Sequence, residues 1–331
     1  MEISTTAPVG RKATLSGISC GAGAGALWGL VFLAPELARD FSPLELTIGR
    51  SVAYGAVSVI LIAPYWQSLR QRLKASEWRS LAWLSLAGNI LYYILLSTAV
   101  QTGGIAMTSL IIGFLPVAVT IMGSREAGAV SLRKLAPSLI LCAAGAGCIG
   151  WQALALPSSG AVWTQIFGLL SAVGALISWT AYAVGNSRCL SRLDRISAHE
   201  WSLLTGMVTG AQSLVLIPIT LWLGGMSHDG PAWIRFAVIS MGIALLASIG
   251  GNALWNRVSR LLPLTLVGQM ILFETLFALI YGLIWEGRMP TMLEAAAFGL
   301  VVASVLACIA AHGISAAKQS PVPDKTCLDA A

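Results

Sequence analysis

Long apolar stretches alternate with short polar connections along almost the whole chain. Ten of them run roughly over 15–36, 43–66, 78–100, 104–124, 133–155, 161–186, 199–223, 232–259, 263–285 and 291–315. Each comes near the ~20 residues that a helix rising 1.5 Å per residue needs to cross the hydrocarbon core of a bilayer. The pattern predicts an all-α integral membrane protein of ten transmembrane helices. The first stretch carries no small-residue cleavage site in a polar context, so it reads as a retained span and not as a signal peptide.

Polar residues inside such stretches avoid lipid, and their angular positions at about 100° per residue show which face turns inward. In the eighth stretch Ser248, Asn252, Trp255, Asn256 and Ser259 fall within an arc of about 100°. Ser85, Asn89, Tyr92 and Tyr93 share a face in the third, and Trp179, Tyr182 and Asn186 share one in the sixth. A stripe of this kind either ties helices together, at about 0.6 kcal/mol per hydrogen bond, or lines a wet cavity. Five members on one stripe favour the cavity. The aromatic members add stacking surface together with O–H and N–H donors. Trp28 and Phe32 form a similar pair in the first stretch, whereas Gly21, Gly25 and Gly29, spaced by four, suit close packing against a neighbouring helix.

Three further residues bear on a path through the membrane. Glu274 is the one acidic residue deep within a stretch, and it shares a face with Met270, Phe277 and Tyr281. An ionised carboxylate at the bilayer centre costs at least about 2.5 kcal/mol, so Glu274 faces the interior. There it either braces helices or meets a substrate ammonium or a coupling proton. Arg50 lies eight residues into the second stretch, about 12 Å from its end at 1.5 Å per residue. It either snorkels outward or attracts a carboxylate at a vestibule. Pro116 interrupts the fourth stretch, where it either kinks the helix and frees a carbonyl or is tolerated by packing, and Pro263 opens the ninth.

Composition agrees with the spans: 56% of residues are hydrophobic and 10% charged, with a mean hydropathy of +0.80. A net charge of +6 raises the question of nucleic acid. Of the 20 basic residues, however, sixteen fall on one side of the predicted spans, and only Arg39, Arg50, Arg235 and Arg288 fall on the other. This bias is the positive-inside rule, and it puts both termini in the cytoplasm. The basic excess therefore reports topology and excludes a nucleic-acid patch. The six cysteines include no CxxC pair, and no zinc site or disulfide framework is indicated. Motifs for phosphate loops, zinc proteases and serine hydrolases are absent, so ATP drive and chemistry on the substrate are not expected and no cofactor is implied.

The stretches also repeat. Ser42-Pro43-Leu44-Glu45 opens the second and Ser197-Ala198-His199-Glu200 the seventh, an offset of 155, and both are capping boxes. Trp28 aligns with Trp179, Gly55 with Gly210, Gly88-Asn89 with Gly251-Asn252, and Glu126 with Glu286. An odd number of spans per repeat inverts the second half. Inverted repeats belong to secondary transporters that bind substrate near the midplane between the halves.

These residues resemble the drug/metabolite transporter superfamily, in its ten-span branch of two EamA-type repeats. The resemblance covers residues 15 to 315 and rests on Ala26-Leu27-Trp28-Gly29, the Ser-Pro-x-Glu start of the second stretch, Gly123-Ser124-Arg125-Glu126 and Glu286-Gly287-Arg288-Met289-Pro290. Through residues 174–182 and Ala253-Leu254-Trp255-Asn256 the chain looks most like the YddG-type amino-acid exporters. That resemblance implies a multi-pass protein of a bacterial inner membrane that exports small metabolites, chiefly amino acids including aromatic ones, by alternating access. A proton is the candidate coupling ion, and membrane lipid is the surrounding partner. Export of amphipathic drugs or of another metabolite is the alternative, and a lipid-modifying membrane enzyme a distant third. The expected units are a cytoplasmic segment 1–14, repeats 15–156 and 157–316, and a disordered cytoplasmic tail 317–331. The candidate cavity residues are Trp28, Asn89, Tyr92, Tyr93, Trp179, Tyr182, Asn252, Trp255, Asn256, Glu274 and Phe277, with Arg50 at a vestibule or gate.

Overall fold

The computed structural model describes residues 11–123, 130–155, 162–262 and 264–319. Ser124, Arg125 and Glu126 of the predicted closing motif, Pro263, and most of the predicted tail lie outside the described residues. Among those described there is no strand. Helix α1 spans Lys12–Leu37, α2 Pro43–Arg72 and α3 Ala75–Ile105. Helices α4 (Leu115–Gly123), α5 (Leu132–Ala155) and α6 (Val162–Leu190) follow. Then come α7 (Ala198–Trp222), α8 (Gly230–Leu261), α9 (Leu266–Trp285) and α10 (Met292–Gln319). Seven of these helices are long and apolar enough to cross a membrane: α1, α2, α3, most of α6, α7, α8 and α9.

Local chemistry sets the ends. Ser42 caps α2 and Ser197 caps α7, each side chain accepting from the backbone N–H of the glutamate three residues on, while that glutamate reaches back to the cap. Pro43 occupies the first turn of α2, where a missing N–H costs nothing. At the far end of the helix carrying Glu274, Gly287 takes the left-handed conformation, φ 62°, which satisfies carbonyls of the last turn. Gly104, with φ 82°, breaks the helical path after Gly103, a backbone geometry open to glycine. Of the two readings of Pro116, the kink does not occur. The chain instead turns at Gly113-Phe114, and Pro116 sits in the first turn of α4, where proline is tolerated.

Packing pairs helices far apart in sequence. Helix α2 lies on α7, α3 on α6, α1 on α8 and α9, α4 on α9, and α5 on α10. Gly55 and Gly210 meet where α2 crosses α7: a Cβ built on Gly55 would lie 2.7 Å from the Gly210 Cα, so any side chain there pushes the backbones apart. Along α1, a Cβ on Gly21, Gly25 or Gly29 would lie 2.5–2.8 Å from atoms of Met270, Phe273 or Ala278. The small stripe thus lets α1 press onto the segment bearing Glu274. Large apolar side chains such as Ile60, Trp222 and Ile234 point outward, as a lipid-facing surface requires.

Candidate substrate cavity

Two helices depart from α geometry beside the same region. Leu86–Leu91 in α3 and Ala244–Gly251 in α8 are π-helical, a widening that shifts carbonyl positions and is concentrated at functional sites. Each wide turn receives a side chain from another helix. The Trp28 indole N–H donates to the Ala247 carbonyl at 3.0 Å, and the Ser178 hydroxyl donates to the Ala87 carbonyl at 2.7 Å. The glycines of these turns admit aromatic rings: a Cβ on Gly88 would lie 2.3 Å from the Tyr182 ring, and one on Gly251 2.5 Å from the Trp28 indole.

Between these contacts lies a cavity lined by Trp28, Val31, Arg50, Gly88, Asn89, Tyr92, Trp179, Tyr182, Asn252 and Glu274. At about 20 Å³ it has room for about one water molecule, so a larger ligand must part its walls. Trp179 forms the aromatic hub, with ring centroids 5.6 Å from Trp28, 5.7 Å from Tyr182 and 6.3 Å from Tyr92. The polar lining is under-bonded. Arg50 Nη1, Asn89 Nδ2, the Tyr92 hydroxyl and Glu274 Oε2 are buried and without hydrogen-bond partners. A buried polar group left unpaired is costly, so four around one small space mark a place made for something polar.

Eight of the residues expected from the sequence thus line one cavity: Trp28, Asn89, Tyr92, Trp179, Tyr182, Asn252, Glu274 and Arg50. Arg50 does not snorkel. It is 7% exposed, its Nε donates to the Ser248 hydroxyl at 2.9 Å, and its guanidinium carbon lies 4.5 Å from the Tyr93 ring centre. The other four expected residues sit elsewhere. Tyr93 backs Arg50, and Trp255 packs against Trp28 and Trp179 at 5.1 and 5.4 Å. Asn256 accepts from Asn186 at 2.9 Å, within a network in which Trp201 donates to Asn186. Phe277 packs against Gly29 and lies 5.9 Å from Tyr281. Val31 and Gly88 were not singled out as lining. Valine carries no polar signal, and Gly88 stood out only as part of the repeat.

Polar contacts tie α2 or its flanks to α7 or its flanks at both ends of that helix pair. At the Ser42 end, Glu45 uses Oε2 in its capping box, and its Oε1 accepts from the Met226 N–H at 2.6 Å and meets His228 Nε2 at 3.0 Å. Met226 holds φ 69°, a strained backbone for a side-chain-bearing residue. The Phe41 ring stacks beside His228 at 4.0 Å and on Phe236 at 4.3 Å, and Arg235 pairs with Asp40. At the Ser197 end Glu200 spends Oε2 on its own cap, while Oε1 takes Arg72, which also donates to the Arg195 carbonyl at 2.7 Å. Among the described residues no cluster of His, Cys, Asp and Glu is arranged to hold a metal ion.

Comparison with known proteins accords with this arrangement. The chain is 29% identical over 315 residues to the inner membrane protein YtfF of Escherichia coli (strain K12), covering 90% of this chain and 96% of that one. Its fold is similar to a crystal structure of another protein, with a TM-score of 0.69 at 16% identity, covering 91% of this chain and 99% of the other. The model of the EamA-like transporter family matches residues 15–150 and again 166–310. The chain belongs to the EamA-like transporter family and is a membrane transporter.

Proposed function

We propose that the protein is a secondary transporter of a bacterial inner membrane that exports small metabolites, most of all amino acids including aromatic ones, by alternating access. Its ten spans form two inverted repeats, 15–156 and 157–316, between the cytoplasmic segment 1–14 and the tail 317–331. Both termini face the cytoplasm, so the closure at Glu45 lies outside and that at Glu200 inside. Paired features support the repeat: two capping boxes, two π-helical turns each receiving a donor, and the touching glycines Gly55 and Gly210.

The observation that carries the reading is one aromatic-walled cavity built from both proposed halves, with a polar tie between α2 and α7 at each end of that helix pair to serve as its closures. Alternating access requires such a site, and opening one closure at a time would expose it to one side only. The indole and phenol rings offer stacking surface, and the few polar groups fix orientation. An amphipathic drug would also find aromatic walls here, so the substrate panel must contain both classes. The test is counterflow with purified protein in liposomes, using radiolabelled amino acids and amphipathic cations. Saturable exchange of aromatic amino acids is expected. Exchange of the cations alone would replace the substrate, and no saturable exchange of any member would sink the reading.

A further inference from the structure

We propose that the cavity is a zwitterion site, in which Arg50 takes the carboxylate and Glu274 the ammonium of an α-amino acid. The inference rests on the transporter reading only for how the ligand arrives and leaves.

The two charges line one cavity, yet no ion pair joins them among the described residues, and each keeps an unpartnered atom, Nη1 on Arg50 and Oε2 on Glu274. Both side chains are fixed by their surroundings. Ser248 and Tyr93 hold the guanidinium from one side and leave Nη1 free. Glu274 is 3% exposed on the segment that Gly25 allows α1 to press against. Their neighbours complete the match. Asn89 Nδ2 and the Tyr92 hydroxyl are further unpartnered donors for a carboxylate, and the aromatic faces of Trp28, Trp179 and Tyr182 suit a side chain or the rim of an ammonium group.

Charge balance then sets specificity. The cavity is lined by one guanidinium and one carboxyl group, so a ligand bearing both signs can leave no charge uncompensated. An amine lacking the carboxylate strands Arg50, and an acid lacking the ammonium strands Glu274. Stranding one buried charge weakens binding about 100-fold or more. A nucleotide or sugar phosphate fits worse still, since one guanidinium faces a multiply charged group.

The test is binding to the purified full-length protein in detergent, read by thermal shift and calorimetry with phenylalanine, leucine, phenethylamine and 3-phenylpropionate. At least one of the two amino acids is expected to bind, with the amine and the acid weaker by about 100-fold or more. Arg50→Gln should lower phenylalanine to the level of phenethylamine, and Glu274→Gln should lower it to that of 3-phenylpropionate. Each ligand-free variant is checked for an unchanged melting profile, and the wild-type series decides the matter should a variant fail to fold. Amine or acid binding within tenfold of the amino acid overturns the assignment, as does failure of both amino acids to bind. Flux in liposomes separates the two readings: zwitterion-selective binding without flux would overturn export and leave the site standing, and amino-acid flux without this selectivity would do the reverse.

Discussion

The two closures are built from the same part and finished differently. Glu45 and Glu200 both stand at the third position of a capped helix, and both give Oε2 to the serine cap and Oε1 to a partner across the molecule. At the Ser42 end that partner is a strained backbone N–H together with a histidine; at the Ser197 end it is an arginine. A capping box thus does double duty here, because a carboxylate has lone pairs to spare after closing its own helix. What differs is the partner: Arg72 meets Glu200 as an ion pair, whereas at Glu45 a backbone N–H and a histidine share one carboxylate oxygen.

The largest expected effect comes from breaking the axis that both closures share. Gly210→Leu puts a side chain into the backbone of α2, where a Cβ alone would lie 2.8 Å from the Gly55 Cα. Overpacking of this kind costs at least about 1–3 kcal/mol. The variant should lose both stability and transport, seen as a lowered melting temperature and absent counterflow; a wild-type melting profile would mean that α2 and α7 are free to part at that crossing.

Removing the closures singly should separate them. Arg72→Ala deletes the partner of Glu200 and should raise labelling of a cysteine introduced at the buried Ser202 by a membrane-permeant thiol reagent severalfold. His228→Ala should do the same for a cysteine at the buried Thr47, by less, since Met226 still holds Glu45. Equal effects on both reporters would show that the ends do not act independently.

The smallest effect is expected from Asn252→Leu. Asn252 lines the cavity and donates weakly to the Tyr54 hydroxyl at 3.4 Å, so its loss should lower affinity in counterflow about tenfold with little change in folding. Unchanged affinity would make it helix packing alone.

Much of this was legible in the chain because a bilayer punishes polar groups, and each one in a span therefore carries information. Asn89, Tyr92, Trp179, Tyr182, Asn252 and Glu274 were found by residue type and helical face alone, and the two capping boxes by spacing. Arg50 was half legible: its depth was evident, but whether a long side chain turns outward or inward depends on Ser248 and Tyr93, which belong to other helices. Asn256 and Trp255 share the stripe with Asn252, yet contacts to Asn186, Trp28 and Trp179 claim them. The π-helical turns were illegible, since they reflect tertiary contacts and shift the 100° register on which face counting relies. Pro116 stayed ambiguous because a proline in a first turn looks the same in sequence as one inside a helix.

The central claim is that the cavity opens to one side at a time. Spin-label pairs at Arg39 and Ser227, and at Ser76 and Asp194, span the Glu45 and Glu200 ends from solvent-exposed positions. Distances measured across both by pulsed electron resonance, in liposomes with and without an amino-acid substrate, test the claim directly. The account predicts two populations, one with a long distance at the Glu45 end and a short one at the Glu200 end and one with the reverse, whose proportions substrate shifts. Both distances lengthening together, or neither changing during turnover, would contradict it.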